Sequence, residues 1–129
     1  MSEVNQGHPH ITYIFELGIT GPEKCMDFMT NEAVPYTNDL DEPKTKRFEW
    51  YISPDKQKTT LIGFFDDGDG AKLRAENLLS SHLAELFTSL FETESVIVLG
   101  DVKDDLREIT DGFGAKYREY SAGFFRLTV

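Results

Sequence analysis

The sequence is poor in basic residues, has one cysteine, Cys25, and contains no long apolar run. With 23 acidic residues against 13 Lys and Arg, the formal charge is -10, which repels phosphate backbones and anionic lipid surfaces. We therefore expect neither a nucleic-acid partner nor a membrane partner. A single cysteine excludes an internal disulfide and a cysteine-rich metal site. No segment approaches the roughly 20 apolar residues that a membrane-spanning helix needs.

The first ten residues are polar and lack the basic start and apolar stretch of a secretory signal. We expect a flexible leader over residues 1–10 and a cytoplasmic location. His8 and His10 lie in this leader, but histidines near a chain end are usually solvated, so we expect no metal. With 129 residues, ten Phe and five Tyr, the chain suits one domain with an aromatic core or an aromatic cavity.

The first part of the domain reads as a strand, a helix and a loop. Residues 11–19 alternate in polarity as a strand does, with Tyr13 on one face. Pro22 suits the first turn of a helix that runs to about Glu32. Pro35 lacks a backbone donor and is predicted to break or kink this helix, after which the polar residues up to 46 form a loop.

The second part reads as a hairpin, a long helix and a fourth strand. Residues 48–53 and 59–66 flank a proline-containing turn and predict a β-hairpin. Leucines and phenylalanines at helical spacing predict a helix over 71–91, capped by Asp69 and interrupted near Ser80-Ser81. A strand over 94–100 and a helix over 104–110 follow, the latter within a C-terminal extension of about residues 103–129. The domain thus spans residues 11–129.

The order of these elements, strand-helix-strand-strand-helix-strand, is that of the α+β, ferredoxin-like fold with a four-stranded antiparallel sheet. Both faces of the predicted sheet are apolar; the strands place Leu61 and Phe65 opposite Ile62 and Phe64, for example. One layer of helices covers only one face. We therefore expect a homodimer in which two sheets pack face to face around a pocket.

Several blocks of sequence resemble the antibiotic biosynthesis monooxygenase-like group of the dimeric α+β barrel superfamily. Together they span roughly residues 13–126, and they are Asp41-Glu42-Pro43, Arg47-Phe48-Glu49-Trp50-Tyr51-Ile52-Ser53, Phe65-Asp66-Asp67, Val98-Leu99-Gly100-Asp101, Leu106-Arg107-Glu108, Gly112-Phe113-Gly114-Ala115 and Ala122-Gly123-Phe124. The resemblance implies a ferredoxin-like protomer and a dimeric α+β barrel. It also implies a cofactor-independent monooxygenase that acts on a small aromatic or quinol-like compound.

Three positions depart from the pattern of this group. Lys44 replaces a turn glycine, Gly63-Phe64 replaces an acidic residue followed by a basic one, and Arg74 replaces a frequent histidine. Haem-degrading members of the superfamily carry an asparagine on the first strand, and residues 12–19 contain none. A non-catalytic dimer that binds a small apolar ligand is therefore the alternative to the oxygenase, ahead of a haem-handling protein.

Cofactor-free oxygenation needs a base that deprotonates the substrate inside a dry aromatic cavity. The candidate bases are His82, on the apolar face of a helix, and Glu49, within an apolar strand. The competing interpretations are a core or helix-end histidine, and a carboxylate paired with Arg47 or Arg126. The residues predicted to contact the substrate are Trp50, Tyr51, Tyr13, Phe64, Asn77 and Glu16. For the aromatic residues among them, core packing is the competing role.

Overall fold

A computed structural model describes residues 3–5 and 9–126 of the chain. In chain order the elements are β1 (Glu3–Asn5), β2 (Ile11–Ile19), α1 (Pro22–Asp27), a π-helix (Phe28–Ala33), α2 (Val34–Asp39), β3 (Thr45–Ile52), β4 (Lys58–Phe65), α3 (Gly68–Ser80), α4 (Ala84–Leu90), β5 (Phe91–Leu99), α5 (Asp104–Asp111), β6 (Lys116–Arg118) and β7 (Gly123–Phe125). None of the helices in these ranges combines the length and the apolar character that crossing a bilayer requires.

The main sheet has the strand order β3-β4-β2-β5-β6. Its first four strands are antiparallel to their neighbours, which confirms the predicted ferredoxin-like, α+β architecture. The C-terminal extension adds a fifth strand, β6, which pairs parallel to β5 and places Lys116 beside Ile97. The sheet of one protomer is therefore mixed and open, and it has one strand more than the sequence predicts.

A second, two-stranded sheet joins β1 to β7, with Val4 opposite Phe124. Three residues of the expected leader thus form a strand. Residues 1–2 and 6–8 of the expected leader, including His8, lie outside the described residues.

Helical structure continues from Pro22 to Asp39, so the predicted loop after Pro35 is wrong in its first part. Proline cannot donate, and in an α-helix its ring collides with the carbonyl one turn earlier. The chain avoids this collision with a wider turn just before Pro35, where the Val34 N–H bonds to the Met29 carbonyl five residues back. This spacing defines a π-helix, and it carries the helix through Pro35 into α2.

Helix α3 begins three residues earlier than predicted, at Gly68, and Asp67 rather than Asp69 is its N-cap. The Asp67 carboxylate accepts a 3.0 Å hydrogen bond from the Gly70 N–H and a 2.7 Å hydrogen bond from the Lys44 Nζ. These two bonds, Lys44 first, lower the pKa of the Asp67 carboxyl. The predicted interruption near Ser80-Ser81 is confirmed, since α3 ends at Ser80 and α4 begins at Ala84.

The core lies between the sheet and the helices. Strand β2 alternates between buried and partly exposed residues, as predicted, with Ile11, Tyr13, Phe15 and Leu17 turned inward. Inward residues of β4 and β5 complete the floor, and helix residues including Cys25, Phe28, Ala71 and Ala75 cover it. The opposite, outer face of the sheet carries side chains that remain partly exposed; they are Thr12, Ile14, Glu16, Ile62, Phe64, Ile97 and Leu99.

Candidate functional site

A largely apolar cavity of about 60 Å³ lies between the inner face of the sheet and the helices. Its floor includes Gly63, whose missing side chain makes room for the ring of Phe65, since a Cβ at position 63 would lie 2.8 Å from the Phe65 Cζ. The wall is formed mainly by aromatic and aliphatic side chains; those on the strands are Tyr13, Phe15, Phe48, Trp50, Leu61 and Phe65, and those on other elements include Phe28, Ala33, Tyr36, Leu78, Leu83, Phe87 and Phe113.

Trp50 stands at the centre of the aromatic wall. Its ring stacks on Phe91 with 5.3 Å between centroids and contacts Phe87 at 6.3 Å and Phe28 at 6.4 Å. The indole Nε1 is buried and has no hydrogen-bond acceptor among the described residues. A buried N–H without an acceptor is costly and uncommon, so the Trp50 Nε1 is a donor available to a bound molecule.

Arg74 brings a positive charge to the cavity from α3, where it shares a buried helix face with Ala71 and Ala75. Its Nη1 lies 3.3 Å from the Oε2 of Glu42, and the two side chains are 9% and 3% exposed. The guanidinium carbon lies 5.7 Å from the centroid of the Phe48 ring. Burial lowers the pKa of Arg74, and the neighbouring charge of Glu42 opposes that shift. Since arginine titrates so far above neutrality, the side chain stays cationic.

Glu42 is held by further hydrogen bonds on the side away from the cavity. Its carboxylate accepts a 2.7 Å bond from the Asn77 Nδ2 and a 2.9 Å bond from the Thr45 Oγ1. A buried carboxylate needs such partners to offset its lost hydration. The bonds fix Glu42 in place, and Glu42 in turn fixes the guanidinium of Arg74 at the cavity wall.

Tyr13 is excluded as a base by its own environment. Its hydroxyl donates a 2.7 Å hydrogen bond to the Ala71 carbonyl, and the side chain is buried. Burial raises the pKa of the Tyr13 phenol above its ordinary range. The phenol therefore stays protonated at neutral pH, and its proton is already committed to a backbone carbonyl.

The polar groups of the cavity are two side chains that can only donate and four hydroxyl groups that can donate and accept. Arg74 and Trp50 have no acceptor function, and the hydroxyl groups come from Tyr13, Tyr36, Thr37 and Ser81. Among the residues that the structure describes, no histidine, aspartate or glutamate belongs to the lining. Over residues 3–5 and 9–126, no three side chains of His, Cys, Asp or Glu come together as a metal site would require. Such a cavity favours an apolar ligand that presents an oxygen acceptor or an anion.

Two of the residues predicted from sequence, Trp50 and Tyr13, line this cavity. Asn77 lies behind the wall, on Glu42. His82 is exposed, and its ring meets the edge of Tyr36 with 5.1 Å between centroids. It therefore approaches the cavity only through Tyr36.

The other predicted residues lie on the outer face of the sheet. Glu49 accepts hydrogen bonds from the Nε of Arg47 at 2.7 Å and from the hydroxyl of Tyr51 at 3.2 Å. Glu16 accepts one from the Thr60 hydroxyl. The Phe64 ring lies 5.0 Å from that of His10. Strand alternation separates these side chains from the cavity, and their roles in binding or catalysis stay predictions.

Arg74 and Glu42 are the main site residues that the sequence-based prediction did not include. Arg74 carries a local signal, because it is a charged residue on the face of α3 that otherwise consists of alanines and Leu78. Glu42 carries none, since it precedes β3 in an irregular segment and meets Arg74 across 32 positions of sequence.

No protein-family model matches the sequence, and no curated protein matches it. Three solved structures resemble the fold. MupZ from Pseudomonas fluorescens has a TM-score of 0.78 at 16% identity, over 95% of this chain and 93% of that chain. SnoaB from Streptomyces nogalater, described as a cofactor-independent oxygenase, has a TM-score of 0.54 at 14% identity, over 70% and 90%. A conserved protein from Methanosarcina mazei Go1 has 0.50 at 19%, over 69% and 89%.

At these identities the likeness is one of fold. The chain has the ferredoxin-like fold that the sequence blocks imply. Proteins with this fold include a cofactor-independent oxygenase.

Proposed function

We propose that the protein is a cofactor-independent monooxygenase that oxidises a small phenolic or quinol-like compound in the cavity beside Trp50 and Arg74. The observation that carries this proposal is an aromatic cavity with one cation, Arg74, and one buried N–H without an acceptor, the Trp50 Nε1. Among the described residues, no acidic side chain lines this cavity. A phenolate fits these demands, because its ring matches the walls and its oxygen accepts from both donors. The oxygenase among proteins with this fold adds support.

The two donors favour the ionised form of the substrate. An opposite charge within a few ångströms lowers the pKa of a phenol, and a hydrogen bond to the oxyanion lowers it further. Arg74 supplies the charge and the Trp50 Nε1 supplies the hydrogen bond. Because no histidine or carboxylate of the described residues lines the cavity, the phenol binds as its anion and leaves its proton in bulk water.

The substrate anion then supplies the electron pair of the first bond to dioxygen, and its ring C–H bond supplies a second pair when water is lost. A ring carbon of the phenolate bonds to one oxygen atom, and the resulting peroxide takes up a proton. The hydroperoxide then loses water, which forms from its terminal O–H group and the hydrogen of the same ring carbon. A carbonyl remains on that carbon. In sum, a phenol and dioxygen give a quinone and water. The protein's part is to hold the anion and exclude water.

The second candidate is a dimer that binds a small aromatic molecule without converting it. It is favoured by the same lining, since His82 reaches the cavity only through Tyr36 and Glu49 lies on the outer face. The cavity then serves as a binding site for an aromatic anion. Oxygen consumption separates this candidate from the oxygenase.

The homodimer is part of the proposal. Three isoleucines form one row across the outer face, Ile62 beside Ile14 and Ile14 beside Ile97. The row ends in Glu49 at one edge and Lys116 at the other. A second copy related by a two-fold axis along the strands places opposite charges over each other and buries the isoleucines.

The deciding experiment measures oxygen uptake with naphthol, naphthohydroquinone and a trihydroxynaphthalene, together with ligand-induced shifts in melting temperature. The key variant is the double substitution Glu42→Gln with Arg74→Met, which removes the buried charges without leaving either one unpaired. Its matched control is Asp101→Asn with Lys103→Met, which removes an exposed ion pair that lies outside the cavity and outside the isoleucine row.

The oxygenase proposal requires uptake that is lost in the Glu42/Arg74 variant and kept in the control. Melting shifts without uptake above the buffer blank establish the binding module instead. Absence of both uptake and melting shifts across the panel contradicts an aromatic ligand in this cavity.

A further inference from the structure

A second hollow of about 500 Å³ opens on the surface beside the cavity, between α2 and the start of β3. It is a groove with mixed polar and apolar walls, formed by Val34, Pro35, Thr37, Asn38, Leu40, Asp41, Glu42, Pro43, Thr45, Lys46 and Phe48. The function proposed above makes no use of it.

The groove and the cavity share a wall. Thr37 and Phe48 line both of them. Glu42 lines the groove, while Arg74, its partner in the buried ion pair, lines the cavity. At Thr37 and at Phe48, a single side chain therefore separates the groove from the cavity.

The size of the cavity shows why this wall matters. Pockets that enclose a drug-sized ligand measure roughly 300–1,000 Å³, several times the volume found here. A ligand of that size cannot be enclosed in this cavity unless a lining side chain moves. The groove, in contrast, already has room for part of a ligand.

Phe48 is the part of the wall best able to move. Its ring is partly exposed and lies on β3, the edge strand of the sheet. The guanidinium of Arg74 lies over the face of this ring, and Trp50 makes an edge-to-face contact with it, with 6.1 Å between ring centroids. Thr37, by contrast, is buried on α2. A rotation of one half-buried phenyl ring is a fast motion compared with the rearrangement of a helix.

We propose that Phe48 is a gate, and that its outward rotation joins the groove to the cavity as one binding site for a two-part ligand. The aromatic ring of that ligand occupies the cavity, and an uncharged polar extension lies in the groove. The identity of the ring rests on the proposed function, whereas the gate does not.

The chemistry of the groove selects the extension. Lys46 is already engaged, with its Nζ 2.8 Å from the Pro43 carbonyl and 3.5 Å from the Asp66 carboxylate. The Glu42 carboxylate is satisfied by its own partners. The side-chain amide of Asn38 and the exposed Asp41 remain to hydrogen-bond, and these suit a hydroxyl or amide group better than a second anion.

The gate is tested without any specific ligand, because Trp50 is the only tryptophan in the chain and lines the cavity. Quenching of its fluorescence by acrylamide measures how readily a small neutral molecule reaches it. We expect Phe48→Ala to raise the quenching constant about threefold, since side-chain gates control such access on fast timescales. The matched control is Phe87→Ala, which removes an equal ring that also contacts Trp50 but does not line the groove.

The gate is overturned if Phe87→Ala exposes Trp50 as much as Phe48→Ala does, or if Phe48→Ala leaves quenching unchanged. Circular dichroism and thermal melting verify that each variant is folded. If Phe48→Ala does not fold, Phe48→Leu replaces it, because leucine keeps the apolar contact with a smaller side chain and still predicts faster quenching.

The groove is tested with two compounds that differ only in the extension. They are a naphthol and a hydroxynaphthamide that carries a hydroxyethyl group on its amide nitrogen. Titration calorimetry is expected to show about tenfold tighter binding of the amide, which corresponds to about 1.4 kcal/mol. Asn38→Tyr, which fills the groove, removes this advantage, while Asp39→Tyr, one residue along the same helix and outside the groove, keeps it.

Equal affinity for the two compounds, or an advantage that survives Asn38→Tyr, overturns the two-part ligand. If neither compound binds the wild-type protein, the aromatic ligand of the proposed function fails with it. The quenching comparison still decides whether Phe48 is a gate in that case.

Discussion

The guanidinium of Arg74 and the carboxylate of Glu42 form an ion pair, 3.3 Å from Nη1 to Oε2, that is buried directly behind the aromatic cavity. Each charge has lost most of its water, so each depends on the other. The pair also connects two separate parts of the chain, the segment before β3 and the middle of α3.

Removal of one charge from this pair is expected to be far more harmful than removal of both. Each single substitution leaves its partner buried without the other half of the pair. Arg74→Met is expected to lower the free energy of unfolding by about 3–5 kcal/mol. The double variant is expected to lose less than the sum of the two. Urea unfolding of the four proteins measures the coupling, and strictly additive losses contradict it.

The exposed pair on β3 provides the comparison. Arg47 and Glu49 are each about half exposed on the outer face. Exposed ion pairs contribute about 0–1 kcal/mol, so the same cycle at these two positions is expected to give a coupling near zero.

The cap of α3 is expected to make stability depend on pH in the acid range. The pKa of Asp67 is lowered in the folded protein by Lys44 and by the Gly70 N–H. A lowered pKa adds stability above the ordinary pKa of the unfolded chain, and this contribution is lost as the pH falls through the lowered value. Asp67→Ala is expected to cost about 1 kcal/mol at neutral pH.

Asp67→Asn is the informative control, because asparagine keeps an oxygen that can accept from the Gly70 N–H. We expect it to be closer to wild type than Asp67→Ala at neutral pH. Urea unfolding over the acid range is expected to bring Asp67→Asn and wild type together at low pH. A difference that does not change with pH contradicts a role for the carboxylate charge.

Gly63 is expected to tolerate no side chain. A Cβ at this position lies 2.8 Å from the Cζ of Phe65, whose own side chain is fully buried and unable to yield. Gly63→Ala is therefore expected to lower the free energy of unfolding by about 1–3 kcal/mol, as overpacking does, and to weaken binding of naphthol. Gly68→Ala meets open space and is expected to leave both properties unchanged, so equal effects of the two substitutions refute this.

The proposed dimer is tested on the isoleucine row of the outer face. Ile14→Lys places a charge at its centre, and we expect sedimentation velocity at micromolar concentration to show a monomer, because buried unpaired charge is costly. Thr88→Lys, on the exposed surface of α4, is the control and is expected to keep the dimer. A wild-type monomer under the same conditions excludes the face-to-face assembly.

Strand alternation made much of the sheet predictable, and it also limited which residues can share a cavity. A period of two places Trp50 and Tyr51 on opposite faces, as it does Phe65 and Phe64. The predicted site nevertheless drew residues from both faces, and a pocket beside one face of the sheet cannot contain all of them. The cavity lies on the helical side, so it contains Trp50 and Tyr13 and excludes Tyr51, Phe64, Glu16 and Glu49.

Long-range partners were not predictable from local patterns. The hydrogen bond between Asn77 and Glu42 joins residues 35 positions apart, and no periodicity indicates it. The path of the chain through Pro35 was missed for a different reason. A proline predicts that an α-helix stops, but the sequence does not show whether the backbone ends there or changes to a wider turn.

The wide turn before Pro35 means that the first helical segment holds one residue more than a regular α-helix of the same rise would hold. A regular α-helix covers the same rise with one residue fewer, so loss of a residue between positions 29 and 32 would leave the residues after it at the same places around the helix axis. Tyr36 and Thr37 would then stay in the cavity wall, but the ring of Pro35 would collide with the carbonyl one turn earlier. Related sequences with a one-residue gap here are thus expected to keep the fold and the cavity, and to lack a proline at the position of Pro35.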